Sequence, residues 1–132
     1  MKGGCLCGAV RYEAKGPPIY SGFCHCRDCQ RATGTGHCCY MIFSRADVEF
    51  TGELKPYSKF AENGNVTLRH FCVTCGSQIF GSGPLEDDRW TVYAGTLDDP
   101  SLFTPTDAVF TRSRQAWDRL AIVLDECETL PG

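Results

Sequence analysis

The chain lacks any apolar run approaching the roughly 18 residues of a membrane-crossing helix, so no membrane association is expected. Its start, Met1-Lys2-Gly3-Gly4-Cys5, has one basic residue but none of the apolar stretch an export signal needs, and cytoplasmic residence is the expectation. An excess of positive charge is missing as well. The formal charge of −3 and pI near 5.5 argue against general binding to nucleic acid or anionic lipid. Solenoid repeats, low-complexity tracts and linkers are absent, and 132 residues with 42% apolar content suit one domain spanning 1–132. Nothing in the sequence sets the oligomeric state.

What the chain holds in excess is cysteine, ten residues in all. Seven of the ten fall into three tight clusters: Cys5-x-Cys7, Cys24-x-Cys26-x-x-Cys29 and Cys72-x-x-Cys75. Disulfide frameworks spread their cysteines along secreted chains, whereas close pairs let one small turn aim both sulfurs at an ion. The clustering points to zinc. Structural zinc normally takes four protein ligands, and a reactive site keeps one position open. Cys5, Cys7, Cys72 and Cys75 would complete a four-thiolate site that staples the N-terminus to the middle of the chain. Cys24, Cys26 and Cys29 would hold a second ion with one position free. Spacing leaves two alternatives open: closure of the triple by Cys38, Cys39, His25, His37 or His70, and a pairing of Cys72 and Cys75 with the triple.

Charge narrows the chemistry. Zinc held by three thiolates carries a net charge of about −1, so it acidifies water less than zinc on neutral histidines. It is better suited to taking a fourth thiolate from outside, and a small thiol is the expected substrate.

Fourteen glycines and seven prolines cut the chain into short pieces, most of them strand-like. Residues 9–13 and 66–71 alternate apolar and polar side chains; residues 38–43 and 90–94 are rich in β-branched or aromatic ones. Residues 47–50 and 57–60 are shorter candidates. Helix is expected only over residues 27–32, stopped by Gly34 and Gly36, with a capped turn over 98–103 and a short helix or loop over 113–120. The fold class is mainly β, with metal knuckles at strand ends.

Gly3-Gly-Cys-Leu-Cys-Gly-Ala-Val-Arg-Tyr12 resembles the opening of the glutathione-dependent formaldehyde-activating enzyme family, which also includes centromere protein V. The resemblance continues through Cys24-His-Cys-Arg-Asp-Cys-Gln-Arg-Ala-Thr-Gly34, Arg69-His-Phe-Cys-Val-Thr-Cys-Gly-Ser-Gln-Ile-Phe80 and Ala94-Gly-Thr-Leu-Asp-Asp-Pro100. Phe110-Thr-Arg-Ser-Arg-Gln-Ala-Trp117 is similar to the family's C-terminal segment. The resemblance implies a β-tent fold of short antiparallel sheets and two zinc ions per chain, divided four and three as above. It also implies a carbon–sulfur lyase or synthase that joins glutathione, the co-substrate, to formaldehyde as S-hydroxymethylglutathione, with Cys24, Cys26 and Cys29 at the reacting centre.

Glutathione carries two carboxylates, and Arg27, Arg31, Arg112 and Arg114 are candidate donors to them. His25, between two ligands, is expected to point away from the metal, as a donor to a sulfur or a surface residue. His37 and His70 are expected to be packed or exposed, and Cys38, Cys39 and Cys127 to act as small hydrophobes. Trp90, Tyr93, Trp117 and most phenylalanines are assigned to the core. The competing functional class is a non-catalytic binding module with both metal sites closed. A redox protein is a third, requiring a coloured iron site or a free nucleophilic cysteine.

Overall fold

A computed structural model describes residues 1–83 and 87–131. Among them the strands are β1 (Lys2–Gly4), β2 (Arg11–Ala14), β3 (Tyr20–Cys24), β4 (Cys38–Ser44), β5 (Val48–Thr51), β6 (Leu54–Phe60), β7 (Val66–Cys72), β8 (Gln78–Ser82), β9 (Arg89–Tyr93), β10 (Asp107–Val109) and β11 (Asp125–Glu126). The one α-helix, α1, covers Arg27–Thr33. The mainly β, tent-like architecture expected from the sequence is present. Strands β1, β2 and β5 form a small antiparallel sheet. The other eight form one sheet in the order β11-β10-β3-β4-β9-β8-β7-β6. It is mixed, because β10 runs parallel to both β3 and β11.

Side-chain alternation along the central strands gives the large sheet two unlike faces. On β4, Cys39, Met41 and Phe43 point to the core, while Cys38, Tyr40 and Ile42 line a cavity on the other face. The small sheet covers the core face. Tyr12 of β2 meets Phe80 of β8 edge-on with centroids 5.4 Å apart, and Phe80 packs on Trp90 at 5.0 Å. Val10, Ala14, Met41, Phe43, Val92 and Leu97 complete the seam. Burying a side chain of this size contributes about 1.5–3 kcal/mol, so the seam is the main source of packing energy.

The helix begins where the sequence suggests. Cys26 caps it, its Sγ accepting the Cys29 N–H at 3.3 Å, and Gly34 ends it in the left-handed conformation at φ 73°. The turn expected near Pro100 is a 3-10 turn over Pro100–Leu102, capped by the Asp99 carboxylate on the Ser101 N–H. Residues 113–120 stay irregular after a 3-10 turn at Thr111–Ser113. Two core assignments are corrected: Trp117 is 70% exposed and Phe60 72% exposed. Trp117 lies in the irregular segment, and Phe60 ends a strand on the sheet's outer edge.

No helix among the described residues is long and apolar enough to cross a membrane.

Candidate metal centre

Two knuckles meet at the first sulfur cluster. One is the turn after β1, carrying Cys5 and Cys7; the other is the end of β7 and its turn, carrying Cys72 and Cys75. Each pair is followed at once by a glycine in the left-handed region, Gly8 at φ 83° and Gly76 at φ 76°. These turns require that conformation, which glycine adopts at no steric cost. Gly8 and Gly76 donate back to Cys5 and Cys72 carbonyls at 3.2 and 2.9 Å. The four Sγ atoms lie within 4.8 Å of one another, with Cys5–Cys7 at 3.5 Å and Cys7–Cys72 at 3.8 Å. A tetrahedron with zinc–sulfur bonds of about 2.3 Å has edges of roughly 3.8 Å, so the donors fit zinc.

Neighbouring donors reach three of these sulfurs. The Val10 N–H reaches Cys5 Sγ at 3.2 Å and the Thr74 N–H reaches Cys72 Sγ at 3.4 Å. The Ser77 hydroxyl, 3.2 Å from Cys75 Sγ, leads the effects that lower the Cys75 pKa to about 5. Ser77 Oγ also accepts the Leu6 N–H at 3.1 Å, joining the two knuckles beneath the site.

The second cluster sits where β3 runs into α1. Cys24 ends the strand, Cys26 caps the helix and Cys29 lies in its first turn, and the three Sγ atoms fall within 4.8 Å of one another. The Cys29 thiol titrates far below the usual range because Cys24, Cys26 and Cys38 donate to it and Arg69 lies beside it. Cys24 is correspondingly pushed up, chiefly by Cys26 and Cys29.

Sequence reasoning missed one neighbour, Arg69, and left another, Cys38, among the residues that could close the triple. Cys38, paired across the sheet with Cys24, brings its Sγ to 3.4 Å from Cys29 Sγ, yet is not within 4.8 Å of the whole triple. Arg69 of β7 aims Nη2 at Cys29 Sγ from 3.8 Å. The available signal for Arg69 was a lone arginine in a strand-like run three residues before a ligand. Cys38 was among the residues weighed for closing the triple, with no local spacing to single it out from the others.

A cavity of about 950 Å³ opens over the triple, and Cys24, Cys26 and Cys29 all line it. Its cations are Arg27, Lys59, Arg69 and Arg89. Tyr93 also lines it, and burial pushes its phenol far above the ordinary range, so Oη keeps its proton. That hydroxyl rests on Gly81, where a Cβ would come within 2.7 Å of it. Of the arginines proposed from sequence, only Arg27 borders this cavity. Arg31 lines a shallower one behind α1, Arg112 pairs with Glu62, and Arg114 pairs with Glu126 at 2.6 Å.

Past Val109 the wall of the cavity turns at Phe110, which alone among the described non-glycine residues has a positive φ, 54°. Such a conformation costs about 1–3 kcal/mol. Hydrogen bonds from the Phe110 and Thr111 N–H groups to Thr129 and Cys127 carbonyls, each 3.0 Å, hold it there.

The histidines lie elsewhere. His25 turns away from the sulfurs as expected, but it is fully buried and makes no hydrogen bond to them. His70 packs edge-on against Trp90 at 4.9 Å and meets Ser82 Oγ at 2.9 Å.

Comparison with known proteins bears on the fold and the family. The crystal structure of a Rhodobacter sphaeroides protein superposes with a TM-score of 0.57 at 24% identity, covering 74% of this chain and 88% of that one, which supports the fold. A Halomonas elongata protein named "Putative glutathione-dependent formaldehyde-activating enzyme" is 30% identical over 95 residues. That match covers 68% of this chain and 58% of the relative, so the chain spans little more than half of the relative's length. The pattern of the family described as "Glutathione-dependent formaldehyde-activating enzyme" matches residues 1–113, carrying both cysteine clusters, and the chain belongs to that family.

Proposed function

We propose that the chain is a zinc-dependent carbon–sulfur lyase or synthase acting on a thiol–aldehyde adduct, with S-hydroxymethylglutathione as the leading substrate. The observation that carries this is the convergence of the Cys24, Cys26 and Cys29 thiols to within 4.8 Å of one another in a cavity where Arg27, Lys59, Arg69 and Arg89 stand beside the carboxylates of Asp28, Glu62, Asp87 and Asp107. Glutathione has two carboxylates and one thiol. The cavity offers cations for the first and a three-sulfur site for the second. In this reading Cys5, Cys7, Cys72 and Cys75 hold one zinc ion for structure, and Cys24, Cys26 and Cys29 hold another. Bound there, zinc stabilises a coordinated thiolate and so lowers the proton affinity of an incoming thiol.

The chain's own residues do the rest. Arg69, half-buried against Cys29, balances the accumulated sulfur charge and meets the substrate's anionic groups. Arg27 serves the carboxylates from the rim, beside Lys59, which is paired with Asp28; Arg31, Arg112 and Arg114 lie farther from this role. In the forward direction the thiol sulfur forms a bond to the carbonyl carbon while the carbon–oxygen π bond breaks. Tyr93 Oη, which keeps its proton, donates a hydrogen bond to the oxygen that gains charge, and that oxygen takes from water a proton equivalent to the one the thiol released. Proximity supplies most of the gain for so reactive an aldehyde. All ten cysteines are free, and the cytoplasm, where thiols stay reduced, is the proposed location.

The second reading is the closed binding module, favoured by the 3.4 Å approach of Cys38 to Cys29. Exchange spectroscopy on glutathione and formaldehyde separates the two. Zinc-loaded protein is expected to accelerate interconversion with S-hydroxymethylglutathione, and Cys26→Ser to abolish that acceleration. Interconversion no faster than in buffer would refute the enzyme.

A further inference from the structure

We propose that His25, His37 and Asp118 form a third metal site, which takes a divalent first-row ion such as zinc through two imidazole nitrogens and one carboxylate oxygen. Strand register creates it. Cys24 of β3 lies opposite Cys38 of β4, so the next position out sets His25 opposite His37. Successive side chains on a strand point to opposite faces. Cys24 and Cys38 therefore face the cavity, while His25 and His37 face the back of the sheet, their rings 5.4 Å apart. Asp118, from the irregular segment after Thr111–Ser113, closes the group from outside.

His25 supplies the independent reason to expect a ligand. Its side chain has no exposed surface, and neither ring nitrogen has a hydrogen-bond partner among the described residues. Its Nδ1 lies 3.1 Å from Asp118 Oδ2, but without hydrogen-bond geometry, and His37 Nδ1 already donates to that same oxygen at 2.8 Å. An imidazole buried in this state loses its hydration for nothing, at about 1–3 kcal/mol. An ion shared by the three donors would use the lone pair that the protein leaves idle.

Size and charge both suit an ion. Donors about 2.0–2.1 Å from zinc in a tetrahedron stand roughly 3.3 Å apart; the two imidazole nitrogens stand 3.1 and 2.8 Å from Asp118 Oδ2, and the three donor atoms all lie within 4.8 Å of one another. The carboxylate has a cradle: a Cβ at Gly36 would lie 2.3 Å from Asp118 Oδ2, so only glycine admits it. Two neutral imidazoles and one carboxylate leave a divalent ion with a charge of about +1, attractive to the sulfur cluster on the opposite face. The partial exposure of the His37 and Asp118 side chains, 19% and 10%, gives the ion an entry path and leaves room for a water ligand. None of the three residues lines the large cavity. The ion would fix residue 118 to the Cys24-His25-Cys26 knuckle from behind, without touching substrate.

The test is metal analysis of the full-length chain after dialysis against zinc and gel filtration, joined to ring-nitrogen NMR of the histidines. The expected content falls from three ions per chain to two in Asp118→Asn, one for each donor cluster lost. Cobalt substitution should leave the thiolate-to-metal charge-transfer bands of that variant unchanged, which separates this site from the two sulfur sites. In the unmutated chain the His25 and His37 ring nitrogens should shift together as the third equivalent binds. Equal metal content with and without Asp118, or ring nitrogens that stay at their metal-free positions throughout the titration, would overturn the proposal. The ring-nitrogen result decides the matter even where Asp118→Asn fails to fold.

Discussion

Arg69, midway along β7, and Ser77, in the turn that follows it, each act on sulfur, and each admits a sharp test. Replacing Arg69 by Met removes a charge-assisted contact of about 1.5–3 kcal/mol. The expected result is a tenfold to hundredfold rise in KM for glutathione with zinc content unchanged, partly restored in Arg69→Lys; steady-state kinetics beside metal analysis checks it. Ser77→Ala deletes the hydroxyl that stabilises the Cys75 thiolate and bridges to Leu6. Such outer contacts typically change metal affinity by about 10–100-fold, so chelator competition should show one zinc released that much more readily. The cysteines of both clusters were legible because chelation imposes local spacing. Arg69 was not, since its reach to Cys29 depends on α1 and β7 meeting across 40 residues of sequence.

At the scale of elements, the strand pair β3–β4 decides which chemistry faces which way, and its neighbours hold it in place. Gly22 of β3 lies against β10, where a Cβ would come within 2.3 Å of the Asp107 carbonyl oxygen. Gly22→Ala should cost about 1–3 kcal/mol in urea denaturation, the usual range for forcing atoms into a filled space. On β8, Gly81→Ala should displace the Tyr93 hydroxyl and slow turnover, as should Tyr93→Phe, by about a hundredfold. Parallel kinetic losses with intact zinc would support the Tyr93 role; unchanged rates would remove it. Strands β2 and β7 were readable from alternation, and β4 and β9 from β-branched and aromatic residues, to within a residue or two. Strands β3, β10 and β11 were not. β3 is interrupted by Gly22, β10 and β11 are three and two residues long, and all pair through contacts distant in sequence.

In the whole molecule, the four-thiol cluster ties the turn after β1 to the end of β7, linking the small sheet to the large one across 65 residues. Metal removal should therefore loosen the seam between the sheets and not merely a turn. Each kcal/mol shifts the midpoint of a domain this size by about 3–6 °C, and a structural zinc contributes several. Calorimetry should show the melting temperature falling by roughly 10 °C or more on chelation, and Cys5→Ser should reproduce most of that fall. A chelated chain that melts as before would mean the sheets need no staple. This link was visible in the sequence as a four-plus-three division of cysteines. The cavity over the triple was not, because its walls come from strands on both sides of the sheet.

The central claim is that the Cys24, Cys26 and Cys29 site accepts a thiol from outside. Native mass spectrometry of the zinc-loaded chain with glutathione, run on the unmutated protein and on Cys38→Ser, tests it most directly. The account expects a glutathione adduct on the metal-bound species in both, with no zinc lost on removing Cys38. Absence of the adduct, together with loss of one zinc in Cys38→Ser, would show that Cys38 closes the site and would contradict the claim.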